Sequence, residues 1–476
     1  MAPSPRPVAA VVGAGVAGLV SARELALLGY AVTVFDAAAP GGRVGSHTLD
    51  GLVLDAGAES FATRTPAVAD LAAELGLTVV APTQSPAWLH AGPGRDLPLP
   101  KTGLLGIPGD PTATEVVNAL GADAAARAAE DLTTAVDPSL LDGPVTLGRL
   151  VRERLGDVAL ETLVTPVVSG VHSADPDRLD ADAIAPGLRE ALAETGSLCK
   201  AAAALRAAAP AGSAVAGVEG GMHRLVEALV EDLERRGVHL PVGTEVTAVS
   251  RGEHGGFVVD HATGHRPSGT EAAAGRLQAD RLVIATEGPA AVDLLSTAVP
   301  ALAALRPDEG AGVSLVTLVV DVPELDDAPR GSGLLVAPGS EDVAAKALTH
   351  ATAKWPWLQR EAGPGRHVVR LSYGRLTDEA ARLADSDDQT LISAGIKDAA
   401  TLLGVEFTAA DVLASDVVRH GGALPMATPG HRQRLQQIAR VLDAEEDLDV
   451  VGAWRVGTGL TAVVGSTRKS LRVSVS

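Results

Sequence analysis

Apolar residues in the first 60 positions alternate between short continuous runs and a helical spacing. The run Val8–Val12 contains no polar side chain and predicts a buried strand, and Ala31–Phe35 predicts a second one. The segment between them, from Gly18 onward, predicts a helix. A strand, a helix and a strand in this order are typical of two neighbouring strands in a parallel sheet.

Helical spacing recurs in the middle of the chain. It predicts a helix from Pro66 to Leu75, before a strand at Leu77–Val80. A second helix is predicted from one apolar face, made of Leu147, Leu150, Val151, Leu155 and Val158. A third is predicted between Gly220-Gly221 and a C-terminal cap at Gly237, with an apolar face made of Met222, Leu225, Val226, Leu229, Val230 and Leu233.

The second half of the chain contains several predicted strands. Thr244–Ser250 and Ala279–Thr286 are two of them, and the apolar Ala279–Thr286 suits the parallel sheet. Residues 311–320 and 366–373 predict an antiparallel sheet. Residues 449–460 predict a strand, a glycine turn and a helix that return to the first unit.

The turn after the first strand has the glycine spacing of a dinucleotide-binding loop. Gly13 permits the tight turn, Gly15 allows close approach of a pyrophosphate, and Gly18 allows the helix to pack on the strand. The N-terminus of the helix offers free N–H groups to phosphate oxygens. Asp36 ends the second strand, where a carboxylate accepts hydrogen bonds from ribose hydroxyls and repels a 2′-phosphate. This pattern leaves NAD or FAD as the cofactor.

The residues that follow favour FAD. A second glycine pair and an arginine, Gly41-Gly42-Arg43, stand shortly after Asp36, and Asp55-Ala56-Gly57-Ala58-Glu59-Ser60 comes next. This arrangement resembles the signature of the FAD-dependent amine oxidase and protoporphyrinogen oxidase superfamily. By that resemblance, Arg43 lies near the pyrophosphate.

Charge and cysteine content exclude several classes of function. The formal net charge of −20 argues against a nucleic-acid partner, which requires a basic surface. Cys199 is the only cysteine, so no disulfide forms within the chain, as expected in the reducing cytoplasm. Cys199 itself is interpreted as a small buried apolar residue. A single cysteine cannot form a cysteine metal cluster, and we expect no metal site. Because no uncharged apolar run reaches about 18 residues, we also expect a soluble protein, and its location is expected to be the cytoplasm.

Several further motifs resemble the protoporphyrinogen/coproporphyrinogen oxidase family of haem biosynthesis. They occur in the family's order over almost the whole chain. Residues 168–176 (VSGVHSADP) and 354–356 (KWP) are the most specific. The others are residues 56–61 (AGAESF), 219–222 (EGGM) and 425–431 (PMATPGH).

The resemblance implies an α/β fold in three parts. The first is a discontinuous, doubly wound FAD-binding (Rossmann-like) domain at residues 1–60, 213–295 and 440–476. The second is an α+β substrate domain at 61–90 and 296–439. The third is an inserted helical domain at 91–212, which often mediates membrane association in relatives; whether it makes a weak membrane contact here stays open.

The resemblance also implies contacts to a non-covalently bound FAD. The residues are Gly13, Ala14, Gly15, Val16, Ala17, Gly18, Asp36, Arg43, Gly57, Ala58, Glu59, Ser60, Val246, Val456, Gly457 and Thr458. Three departures concern the flavin ring. His420 replaces the usual tryptophan, Ala427 replaces a tyrosine, and Gly457-Thr458-Gly459-Leu460-Thr461 replaces the usual C-terminal turn.

The implied reaction is oxidation of a porphyrinogen with dioxygen as acceptor and hydrogen peroxide as by-product. No catalytic acid or base is assigned, because the cofactor supplies the hydride chemistry. Arg64, Lys354 and His172 are the candidate partners of the substrate's propionates, in that order. The soluble, acidic chain favours coproporphyrinogen III over the more apolar protoporphyrinogen IX.

Other functions stay open at the level of sequence. These are another FAD oxidase of the amine-oxidase type, a carotenoid-type desaturase and a non-catalytic FAD protein. Only Tyr30 and Tyr373 are tyrosines, which makes an aromatic amine cage hard to build. Hand-over of the product to a ferrochelatase-type enzyme also stays open.

Overall fold

A four-stranded parallel sheet carries the N-terminal glycine loop. The strands stand in the order Leu448–Val450, Arg281–Ile284, Val8–Val12 and Ala31–Phe35, and Val12 is in register with both Ile284 and Phe35. The first strand is buried on both faces, as a central parallel strand requires. The predicted strands at Val8–Val12, Ala31–Phe35 and within Ala279–Thr286 are confirmed. The computed structural model describes residues 6–100, 103–172, 174–208, 215–241, 243–263, 274–374, 382–424, 428 and 430–473.

Different layers cover the two faces of this sheet. One face packs against helices Val16–Leu27, His223–Arg235 and Leu460–Val473. The other packs against helices Gly288–Leu295 and His431–Leu442, and against the antiparallel strands Thr244–Arg251, Phe257–Thr263 and Ala274–Ala279. Helix His223–Arg235 buries most of its predicted apolar face and is followed by Gly237 at φ +74°. The predicted helix and its glycine stop are confirmed.

A second, larger sheet has seven strands. Its strands stand in the order Val412–Leu424, Ala311–Asp321, Arg366–Tyr373, Ala347–His350, Gly333–Val336, Trp88–His90 and Asp96–Pro98. All neighbours are antiparallel except Gly333–Val336 and Trp88–His90. The predicted antiparallel pair is confirmed, with Val316 opposite Leu371. Helix Asp388–Leu403 packs on this sheet, and Ala351–Lys354 and Pro356–Ala362 follow one of its strands.

Between strand Asp96–Pro98 and residue 208, the chain is mostly helical. Its helices are Thr114–Leu120, Ala122–Ala129, Leu147–Leu155, Asp157–Ala159, Leu160–Val164 (π), Thr165–His172, Ala181–Ile184, Leu188–Thr195 and Leu198–Ala207. The predicted placement of Val158 on the buried face is wrong: Gly156, at φ +90°, ends the helix, and Val158 is 46% exposed. Cys199 is buried, as predicted. Within the described ranges, no helix combines the length and apolar character needed to cross a bilayer.

Short strands connect these layers. Ser46–Leu49 and Leu52–Asp55 form a hairpin, and Val215–Val218 pairs with both Phe61–Ala62 and Val79–Val80. The helix predicted from Pro66 to Leu75 spans Ala67–Glu74, and the strand predicted at Leu77–Val80 is limited to its last two residues. The fold is therefore α/β, as predicted. The three-domain division stays a prediction, and Asp96–Pro98, within the range assigned to the helical domain, pairs with the seven-stranded sheet.

Candidate functional site

The glycine loop has the geometry that a close phosphate contact needs. Gly13 adopts φ +103°, and a Cβ there would lie 2.9 Å from the carbonyl oxygen of Ala285. At Gly18, a Cβ would lie 1.8 Å from the carbonyl oxygen of Gly13, so only glycine lets the helix pack this closely. At Gly15 a Cβ would meet no atom within 4 Å, and this residue faces a cavity. The loop therefore leaves open space at the N-terminus of helix Val16–Leu27, where no side chain of the described residues caps the helix and the N–H groups of a first turn favour an anion.

Asp36 is tied to this loop by its carboxylate. Its Oδ2 accepts a 2.6 Å hydrogen bond from the Ala14 N–H, and its Oδ1 accepts one of 2.8 Å from the Ala38 N–H. The Gly41 N–H donates to the carbonyl of Ala14 at 2.9 Å. Because a carboxylate has about four acceptor positions, Asp36 retains capacity for ribose hydroxyls.

A cavity of about 430 Å³ extends from the glycine loop to the seven-stranded sheet. This volume lies within the range of small-molecule and cofactor pockets. The predicted FAD contacts that line this cavity are Gly13, Gly15, Val16, Ala17, Asp36, Arg43, Gly57, Ala58 and Thr458. The sheet contributes Val313, Leu315, Arg370, Ser372 and His420, and other segments contribute Gly170, Thr286, Lys346, Gly452, Trp454 and Leu460.

A second cavity, of about 630 Å³, continues from Asp36 along strand Thr244–Arg251. Gly13, Asp36 and Thr286 line both cavities, and Val246 lines only the second. Together they run along the carboxyl ends of the parallel strands, where doubly wound folds bind ligands. The pair of cavities offers room for a long two-part cofactor.

Several predicted contact residues lie outside the first cavity. Ala14 and Gly18 belong to the packed side of the loop, where Gly18 faces backbone rather than open space. Val456 is 38% exposed and Gly457 is also exposed, so neither lines it. The C-terminal turn instead presents Trp454 and Thr458. Val456 and Gly457 are thus not brought to the cavity, because helix Ala453–Val456 turns Trp454 inward.

Glu59 is engaged in an ion-pair network behind the cavity. Its carboxylate contacts Lys354, and its Oε2 lies 3.3 Å from the Arg370 guanidinium. Burial opposes ionisation of Glu59, but the charges of Lys354 and Arg370 outweigh it and lower the pKa of the carboxyl. Glu59 and Ser60 do not line the first cavity, and Lys354, predicted to meet a propionate, meets Glu59 instead. Arg64 is exposed at the protein surface.

Two side chains of the sheet hold the turn at residues 55–57 against the cavity. Arg370 donates to the carbonyls of Asp55 and Gly57, at 3.2 and 2.8 Å. His420 Nε2 lies 3.0 Å from the carbonyl oxygen of Ala56, so this nitrogen carries the proton. The Asp55 carboxylate in turn accepts from the backbone N–H groups of Met222 and His223, at 3.0 and 2.8 Å. His420 therefore helps to position a wall of the cavity. The sequence comparison, in which His420 stands where a tryptophan is expected, did not predict this hydrogen bond.

Arg43 lies at the edge of the cavity. It forms an ion pair with Glu287, and its Nη2 donates to the carbonyl of Gly422 at 3.4 Å. Burial lowers the pKa of the Arg43 guanidinium. Helix Thr165–His172 brings Gly170 to the wall. The side chain of His172 and residues 425–427 and 429 lie outside the described part of the structure.

The sequence reasoning missed several lining residues. Lys346 is 2% exposed and stands within an apolar run, where a lysine is unusual. Arg370 and Ser372 share one face of a strand because side chains alternate along it. The available signal was a charge flanked by apolar residues, at Lys346 just before strand Ala347–His350 and at Arg370 within strand Arg366–Tyr373.

Replacing Glu59 with glutamine should destabilise the protein by about 2 kcal/mol, because two half-buried cations lose their counter-charge. The pKa of Glu59 is lowered in the folded state, so its contribution is present above about pH 4.3 and is lost as pH falls. Urea unfolding at pH 7 and pH 3 measures this difference. The control is Glu219→Gln, which removes the exposed pair with Arg360 and should change stability by less than about 1 kcal/mol. Equal stabilities of E59Q and E219Q would contradict the prediction.

Known proteins resemble this chain over nearly its full length. The sequence profile of flavin containing amine oxidoreductases matches residues 16–453. A coproporphyrinogen III oxidase of Mycobacterium bovis is 33% identical over 97% of this chain and 96% of its own length, and one of Staphylococcus aureus is 26% identical over 95% of each. Among solved structures, a candidate protoporphyrinogen oxidase from Exiguobacterium has a TM-score of 0.79 at 24% identity and covers 99% of both chains.

Proposed function

The chain belongs to the flavin containing amine oxidoreductase family, and we propose that it oxidises coproporphyrinogen III to coproporphyrin III with FAD as its cofactor. Membership makes the protein a flavin-dependent oxidoreductase. The substrate rests on one observation: the similarity to coproporphyrinogen III oxidases covers both chains almost completely. The cavity between the glycine loop and the sheet supports the proposal, since it adjoins the nucleotide unit on one side and a wall with both apolar and polar side chains on the other.

The residues of this chain would bind and orient rather than supply a strong acid or base. The helix N-terminus at Gly15 and Val16 would hold the pyrophosphate, and Asp36 the ribose. Bound non-covalently, FAD would supply the hydride acceptor. Three two-electron oxidations, each using one dioxygen and giving one hydrogen peroxide, would convert the porphyrinogen to the porphyrin. Val313 and Leu315 present apolar surface that excludes water. Lys346 and Arg370 also line the cavity, and Arg370 pairs with Glu59.

Porphyrin fluorescence tests the proposal directly. Purified protein with bound FAD is mixed in air with coproporphyrinogen III or with protoporphyrinogen IX, and porphyrin and peroxide are followed together. Faster oxidation of coproporphyrinogen with peroxide release is expected. Preference for protoporphyrinogen would overturn the substrate. No oxidation above the spontaneous rate would overturn the activity and favour a non-catalytic flavoprotein or an amine oxidase.

Arg64 is the remaining described candidate for binding a propionate. It is exposed, and an arginine fork suits a carboxylate. Replacing Arg64 with alanine should raise KM about fivefold and change kcat less than twofold, because substrate binding is lost while the chemistry is retained. Steady-state kinetics with coproporphyrinogen III measure both constants. The matched control is Arg360→Ala, which removes an exposed arginine that pairs with Glu219. An unchanged KM in R64A would contradict a role of Arg64 in substrate binding.

A further inference from the structure

Trp454 lies where the C-terminal segment meets the cofactor cavity. It follows strand Leu448–Val450 and belongs to helix Ala453–Val456, at the carboxyl end of the parallel sheet. Its side chain is 4% exposed and lines the cavity that begins at the glycine loop. A large aromatic side chain here closes the wall between Gly452 and Gly288.

The indole nitrogen of Trp454 lacks a partner. Nε1 is buried and has no hydrogen-bond acceptor among the described residues. An indole N–H can only donate, and a buried donor without an acceptor is unfavourable. Buried orphan donors in a ligand cavity are explained most simply by an acceptor on the ligand.

The orientation of the ring places this N–H on the cofactor side. A Cβ at Gly452 would lie 3.6 Å from Cδ1 and 3.8 Å from Nε1 of the indole, and 3.8 Å from the carbonyl oxygen of Thr286. A Cβ at Gly288 would instead meet the six-membered ring, 3.0 Å from Cδ2 and 3.2 Å from Cε3. Trp454 lines two cavities: Gly452 and Thr286 line only the cofactor cavity of these two, and Gly288 lines only the other. The pyrrole edge therefore lies beside residues of the cofactor cavity, and the six-membered ring lies beside Gly288.

We infer that the Trp454 indole N–H donates a hydrogen bond to an oxygen of the ribityl–pyrophosphate linker of bound FAD. This inference rests on the proposed cofactor. The cavity brings Trp454 together with Gly13 and Gly15, the residues expected to approach the pyrophosphate. The linker carries only oxygen acceptors, which match a donor-only group. Trp454 is thus a cofactor-binding residue in addition to those of the glycine loop.

Indole NMR of the ¹⁵N-labelled protein tests the contact without any turnover. The chain has four tryptophans, so the apo protein gives at most four indole N–H signals. Addition of FAD should move one signal strongly downfield, and that signal should be missing from W454F. If W454F does not fold, the signal is assigned by elimination with W88F, W355F and W357F. ADP, which carries the pyrophosphate without the ribityl chain, locates the acceptor: a shift with ADP identifies the pyrophosphate, and a shift with FAD alone identifies the ribityl chain.

Binding and stability of Trp454→Phe provide the second measurement. The affinity for FAD should fall about tenfold, as expected for one lost hydrogen bond. The Tm of the apo protein should fall by about as much as in Trp357→Phe, because each variant shortens a buried ring and the removed indole N–H of Trp454 has no partner there. Trp357→Phe, a buried tryptophan outside the cavity, should leave FAD affinity unchanged.

The outcomes separate this contact from the proposed cofactor. Wild-type protein that binds FAD without a response of the Trp454 signal, together with wild-type affinity in W454F, would make Trp454 an apolar wall and overturn the contact alone. Failure of the wild-type protein to bind FAD would overturn both proposals. Neither result depends on whether a porphyrinogen is oxidised.

Discussion

Replacing Gly15 with valine should give a folded, colourless protein with at least about a 100-fold loss of FAD affinity, or about 2.8 kcal/mol. Gly15 has φ −71° and ψ 176°, a backbone conformation that valine also adopts. A Cβ at this position meets no protein atom within 4 Å, so the side chain extends into the cavity. It would occupy the space in which a pyrophosphate must approach the helix N-terminus.

Flavin absorbance after purification and a fluorescence titration of apo protein with FAD measure this effect. Circular dichroism and urea unfolding of the apo protein should match the wild type. Gly339→Val is the matched control, because Gly339 also has open space around a Cβ but lies outside the cavity. Full FAD binding by G15V would mean that the pyrophosphate does not lie at this loop. Loss of folding would mean that the space beside Gly15 is not free.

Local patterns account for the nucleotide unit. The strands Val8–Val12 and Ala31–Phe35 and the helix between them follow from periodicity and glycine placement, both of which act over a few residues. Gly13 and Gly18 have backbone requirements that only glycine meets at those positions. The sequence therefore predicts the part of the site in which chain neighbours are also spatial neighbours.

The rest of the site depends on contacts between distant segments. The position of Glu59 in its motif predicted a contact with the cofactor. Its carboxylate instead pairs with Lys354 and Arg370, which are far away in the sequence, and does not line the first cavity. A single helical turn after Gly452 decides that Trp454 and not Val456 faces inward. Likewise, Trp88–His90 joins the seven-stranded sheet by parallel pairing with Gly333–Val336, which no local pattern indicates.

The buried carboxylate of Asp131 holds together the helical segment of the chain. It accepts hydrogen bonds from Ser197 Oγ at 2.6 Å and from the backbone N–H groups of Leu198 and Cys199 at 3.0 and 2.9 Å. It also pairs with Arg154, and both side chains are nearly inaccessible to solvent. Burial opposes ionisation, but these hydrogen bonds outweigh it and lower the pKa of Asp131. One carboxylate thus caps helix Leu198–Ala207 and neutralises a buried cation.

Replacing Asp131 with alanine should destabilise the protein by about 3–5 kcal/mol, because Arg154 is left buried without its counter-charge and the helix N-terminus without its acceptor. Since the pKa of Asp131 is lowered on folding, its stabilisation is present above about pH 3.9 and is lost as pH falls through the folded-state value. Urea unfolding followed by circular dichroism should therefore show a larger difference between wild type and D131A at pH 7 than at pH 2.5.

Two further variants separate the charge from the cap. Asp131→Asn retains an acceptor oxygen and should lose less stability than D131A. Arg154→Met in the D131A background removes the orphaned cation and should recover part of the loss, although Arg154 also donates to the carbonyls of Thr134 and Ala135. Asp137→Ala removes a fully exposed cap in the same segment and should have a much smaller effect. If D131A were no less stable than D137A, the segment would be held by its apolar core alone, because the buried pair would contribute nothing to the free energy of unfolding.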